Sequence, residues 1–281
     1  MTLKVELQGI DYDTKWKQKD LNALIEKMLD NIGTTDAELR DALIFNTFGK
    51  LILEDCLTNK QMEYILDVCL HKLFLGIEEK ESDLVFTRSC SALVIGIILH
   101  KDRQKRFLQD GAAVKTIKQS IEYLNLEEDT RGYVEGKGWA HSIAHGADLL
   151  TEAIKHPCFD NRLSFECLET MKRCLFKEGT TKSPYIDEEE ERLLFVLEAL
   201  IDKGIKDKEI TFLILDITDK LQELKTKEGD NLNFYWKKSN AVNFLRGLYF
   251  RLLYKNTYPE IRKNIAAILE QWHRETYNLH E

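Results

Sequence analysis

Proline and glycine are scarce in this chain, at three and 14 residues of 281, so a sheet protein built on frequent tight turns is a poor fit. No apolar run approaches the roughly 18 residues that cross a bilayer; the longest, ALVIGIIL, starts at Ala92. The opening MTLKVELQGIDYD lacks the apolar stretch of a signal peptide. No cluster of Lys and Arg interrupts the mixture of signs, and the net charge is -8, so the basic footprint of a nucleic-acid surface is missing. The expectation is a cytoplasmic protein with neither membrane nor nucleic acid as partner.

Cysteine is present but unpatterned. Cys56, Cys69, Cys90, Cys158, Cys167 and Cys174 occur at irregular spacing with no C-x-x-C pair, which suits reduced thiols acting as small core hydrophobes. A zinc site using His156 and Cys158 is the sharper alternative, resting on a lone H-P-C.

With 43% hydrophobic residues the chain can bury a sizeable core. Helical periodicity predicts an all-α fold: a first helix over 15–31, then five pairs at 36–56 with 60–75, 84–101 with 104–125, 138–155 with 160–177, 187–203 with 207–226, and 236–255 with 259–277. The first helices of the pairs begin near Arg40, Arg88, Gly138, Glu191 and Lys238, a step of about fifty residues that approaches the period of HEAT and armadillo solenoids. Stacked helical hairpins forming a single domain over 1–281 are therefore expected, an irregular helical bundle being the alternative. The segment from Arg88 to His100 is apolar nearly all round, as in a helix covered on every side.

One segment carries more chemistry than the rest: RGYVEGKGWAHSIAHGADLL, Arg131 to Leu150. On a helix starting at Gly138, His141, His145, Asp148 and Glu152 fall on one line, with Trp139, Ile143, Ala147, Leu150 and Ile154 opposite, facing the core. Histidine and aspartate are weak helix formers, so such a line is an uncommon way to make a solvated face. Two histidines four apart can share a divalent metal, with Asp148 completing or orienting the set. The H-E-x-x-H motif is excluded, since Ser142 stands where its glutamate would be.

The preceding loop brings Gly132, Gly136 and Gly138 together with Arg131 and Lys137, beside a helix start whose free N–H groups suit an anion. The spacing departs from a phosphate-binding P-loop. Tyr133 is placed to wall a pocket, and Asn240, Asn243, Arg251 and Tyr254 to line a neighbouring concave surface. The ligand-binding set is thus Arg131, Tyr133, Lys137, His141, His145 and Asp148, and the candidate metal ligands are His141, His145 and Asp148. Two functions compete: a groove for a small polar or anionic ligand or a peptide segment, and a metal-dependent hydrolase.

The same segment resembles the signature of a family of uncharacterised proteins from Gram-positive bacteria, known only as a domain of unknown function. Arg131, Gly132, Tyr133, Lys137, Gly138, Trp139, His141, His145 and Asp148 match its motif. The resemblance implies a bacterial source and extends over most of the chain, but it brings no activity with it.

Overall fold

A computed structural model describes residues 2–9, 20–180 and 183–277, and nearly all regular structure in them is helical. Contacts group the chain into two compact units, Met1–Phe159 and Asp160–Glu281. The boundary between the units falls between the two helices of the third expected pair.

The first unit comprises α1 (Leu3–Gln8), α2 (Leu21–Asp30), a π-helical segment (Glu38–Phe45) running into α3 (Asn46–Leu53), α4 (Asn59–Lys72), α5 (Leu84–Gln104), α6 (Asp110–Leu126), a short hairpin of β1 (Tyr133–Val134) and β2 (Gly138–Trp139), and α7 (Ser142–Lys155). Residues 15–19 of the first helix expected over 15–31 lie outside the described residues; the remainder is α2, opened by an Asp20 carboxylate that accepts from Asn22 and Ala23 N–H. Thr58 and Gln61 form a reciprocal capping box at α4.

α5 is the axis of this unit. It packs against α3, α4 and α7, and Phe86, Ala92, Val94, Ile95, Ile98 and Leu99 are all fully buried. Its length and composition would suit a membrane span, but 72% of its most apolar 18-residue window is buried inside the protein, as expected of a core helix. Small residues admit α7 to the core. Gly96 of α5 meets the Leu149 backbone, and a Cβ at Gly146 would lie 2.7 Å from Leu124 and 2.8 Å from Tyr123 of α6.

The second unit holds a single 3-10 turn (Asn161–Leu163), α8 (Ser164–Leu175), α9 (Glu189–Asp202), α10 (Asp207–Glu228), α11 (Leu232–Tyr254) and α12 (Pro259–Tyr277). Glu189, Glu190 and Glu191 occupy the first turn of α9, where the helix dipole favours negative charge, as the acidic run predicts. Within each unit, packing links elements two apart as well as sequence neighbours: α3 with α5, α5 with α7, α9 with α11, and α10 with both α8 and α12.

All six cysteines are free thiols. Burial raises Cys90 and Cys167 to about 12 and Cys174 to about 11, and pushes Cys69 higher; these four are inert core groups.

Candidate functional site

The segment around Arg131–Leu150 departs from the expected helix at its start. Residues 133–139 form a hairpin, Tyr133 opposite Trp139 and Val134 opposite Gly138. Its turn is closed by Lys137 N–H donating to Val134 O at 3.0 Å. Gly136 and Gly138 have φ of 72° and 79°, the left-handed region that glycine enters without a Cβ penalty. Gly138 is also crowded, since a Cβ there would lie 2.7 Å from Ala37 and 3.0 Å from the Arg40 guanidinium.

The hairpin is held from beneath by Arg40. Its side chain is buried, lies 4.4 Å over the Phe86 ring, pairs with Asp41, and donates to the carbonyls of Thr34, Lys137 and Trp139 at 2.7, 3.0 and 3.3 Å. A second buried network supports the strand leading in. Arg88 and Glu127, both with 0% side-chain exposure, pair bidentately at 2.7 and 2.8 Å. Glu127 also accepts the Asp129 N–H, and the Asp129 carbonyl accepts from the Ser142 hydroxyl.

Backbone pairing continues past the hairpin: Ala140 N–H donates to Gly132 O and His141 N–H to Arg131 O. His141 then takes φ 46°, ψ 36° as the residue preceding α7. A non-glycine residue held there costs on the order of 1–3 kcal/mol. The helix therefore begins at Ser142, so His141 lies off the helical line that the sequence suggests. From His145 onward the line holds. His145, Asp148, Glu152 and Lys155 are partly exposed, whereas the other residues of α7 are buried.

Trp139 corrects its expected place. It is not a core residue but lies 43% exposed on the hairpin, because the extended strand turns its ring away from the helix packing face. The result is a row of four rings. Tyr133 meets Trp139 at 5.0 Å, Trp139 meets His141 at 4.4 Å, and His141 meets His145 at 5.5 Å between centroids.

The other candidate residues are engaged. Arg131 pairs with Asp129 through Nε at 2.9 Å and donates to Ser82 O at 2.7 Å. Lys137 meets both oxygens of Asp83 at 2.7 and 2.8 Å. The two cations thus arrive already neutralised by carboxylates, and their clearest role is to fix the hairpin. The Ser89 hydroxyl meets His145 Nδ1 at 2.6 Å. Ser89 is only 2% exposed, so it orients the imidazole rather than offering a nucleophile. Glu152 contacts Lys155, Arg103 and His100. Burial opposes its charge, but these groups hold its carboxyl below the usual range.

Among the described residues, His141, His145 and Asp148 do not bring three donor atoms within 4.8 Å of one another. The zinc reading of His156 and Cys158 also fails on geometry. His156 Nδ1 accepts the Cys158 N–H at 3.1 Å, so Nε2 carries the proton and donates to Asp102 at 2.9 Å; both ring nitrogens are occupied. Sequence spacing does not show this, because Asp102 lies 54 residues away.

Of the residues assigned to a neighbouring surface, Asn240 is buried, accepting from Tyr185 N–H at 2.7 Å. Asn243, Arg251 and Tyr254 line a groove within the second unit.

The family model "Protein of unknown function (DUF2785)" matches residues 73–250, a span that contains α5, the hairpin and α7. The chain belongs to that family. No curated protein and no solved structure matches it.

Proposed function

We propose that this member of the DUF2785 family is a binding protein, which holds a small polar or anionic ligand or a peptide segment against the hairpin and the accessible face of α7. The observation that carries the reading is the row Tyr133, Trp139, His141 and His145 on a clamped support. Tyr133 is 53% and Trp139 43% exposed, and aromatic rings with a polar edge give large contact area at little entropic loss. Arg40, Asp129 and Ser89 fix the backbone and one imidazole beforehand, which lowers the ordering cost of binding. In this reading the exposed rings of Tyr133 and Trp139 supply the contact surface, and Arg131 and Lys137 act through the loop they hold.

The packing of elements two apart supports a HEAT-like stack of helices within each unit. A net charge of -8 and a largely buried α5 support a cytoplasmic protein with neither nucleic acid nor membrane as partner; a bacterial source rests on the family resemblance.

The metal-dependent hydrolase has weaker support, since the strained His141 and the Ser89-bound His145 do not converge with Asp148. Screening small anions, amino acids and short peptides by thermal shift tests the binding reading. Compounds that stabilise the wild type are expected to lose that effect in Trp139→Ala and His145→Ala. Equal stabilisation of both variants by every active compound overturns it, and near-stoichiometric metal that vanishes in His141→Ala/His145→Ala moves the assignment to the hydrolase.

A further inference from the structure

A groove of about 620 Å³ lies between α9 and α11 of the second unit. α11 approaches α9 closely there because Gly247 has no side chain: a Cβ would lie 2.5 Å from Glu191 Oε1 and 2.7 Å from Leu194.

The charges lining this groove are unequally used. Arg251 is committed, pairing with Glu191 at 2.9 Å and Glu198 at 3.1 Å and lying over the Phe195 ring at 4.6 Å. Two groups are not. Glu190 is 8% exposed, and its Oε2 is buried with no hydrogen-bond partner among the described residues. Its environment raises its proton affinity, burial being the main cause and the Asn243 contact a partial offset. Arg246 is exposed, and its one hydrogen bond among the described residues is a long contact to Asn243 at 3.5 Å. At the far end Phe250 and Tyr254 stack at 6.0 Å with 29° between their planes.

A buried carboxylate oxygen without a partner is unfavourable, and the desolvation is already in place before any ligand arrives. A donor entering the groove therefore gains a charge-assisted hydrogen bond. An anionic group on the same molecule meets Arg246, and an apolar or planar group meets Phe250. We infer that the α9–α11 groove is a second ligand site, for a small zwitterion of the amino-acid class with an aromatic side chain: ammonium on Glu190, carboxylate on Arg246, ring on Phe250 and Tyr254. A volume of 620 Å³ lies within the range of ordinary small-molecule sites. The inference is independent of the α7 face, since none of these residues belongs to it.

Calorimetric titration of the full chain with L-phenylalanine tests it, with 3-phenylpropionate lacking the ammonium and 2-phenylethylamine lacking the carboxylate. L-phenylalanine binds, and each control binds about tenfold more weakly or worse, as expected when one charged hydrogen bond is lost. Glu190→Gln weakens L-phenylalanine and 2-phenylethylamine but leaves 3-phenylpropionate unchanged. Arg246→Ala, an exposed substitution that leaves folding intact, weakens L-phenylalanine and 3-phenylpropionate. No heat of binding from L-phenylalanine up to its solubility, or equal affinity of all three compounds, or indifference to both substitutions, overturns the assignment.

Discussion

Replacing Arg88 with methionine removes the cation at the centre of the support beneath the hairpin. Arg88 makes four hydrogen bonds, two to Glu127 at 2.7 and 2.8 Å and two to the carbonyls of Leu75 and Gly76 at 3.1 and 2.9 Å. Methionine fills most of the volume but leaves the buried Glu127 carboxylate without its counter-ion. Breaking a buried pair on one side costs about 3–5 kcal/mol, a fall in melting temperature on the order of 10 °C for a chain of this size. Arg88→Met/Glu127→Met is milder than the sum of the single variants, because no isolated charge remains; recovery is partial, since the Asp129 N–H also loses its acceptor. Near-UV circular dichroism of the single variant changes as well, because Asp129 connects the pair to Arg131 and Ser142. Urea melts of the wild type and the three variants form the cycle. A loss below about 1 kcal/mol for Arg88→Met, or a double variant as destabilised as the sum of the singles, refutes a buried, mutually dependent pair.

Other consequences are equally open to measurement. Gly146→Ala overpacks the contact of α7 with Tyr123 and Leu124 and lowers stability by about 1–3 kcal/mol in a urea melt. His141→Gly relieves the left-handed strain and raises stability by up to about 1 kcal/mol, where an unstrained residue would show a loss. Asp102 is buried, which opposes its charge, but the Leu108 and Phe107 amides, His156 and Arg106 hold its carboxyl below the ordinary value. Its contribution is thus fully present above about pH 4 and is lost as pH falls through the depressed value. The stability gap between the wild type and Asp102→Asn should close over that acid window. Glu189 behaves oppositely. Burial raises it to about 7, so the folded state loses stability as pH rises from about 4.3 through 7. Glu189→Gln should then be stabilising at pH 8 and neutral near pH 4, with a difference of about 3 kcal/mol.

The individual helices from residue 36 onward were legible because each buries an apolar face long enough to show its period, and α5 was legible because it has no polar face at all. The accessible line of α7 was legible from His145 onward for the same reason. What the pattern hid is short or non-local. Two-residue strands are too brief to alternate, so Trp139 read as helical core; the six residues of α1 carry too little period to register. The partners of Arg131 and Lys137, Ser82 and Asp83, lie 49 and 54 residues away, and the buried histidine–aspartate pair of His156 is equally distant. Such pairings follow from the packing of α5 against α7, which no local spacing encodes.

The most direct test of the α7 face follows the four indole N–H signals of the 15N-labelled protein. The signal absent from Trp139→Phe identifies Trp139, and compounds found by thermal shift are titrated against it. A saturable shift of that signal, abolished by His145→Ala, is the predicted result. Ligands that bind while leaving the Trp139 signal in place would contradict it.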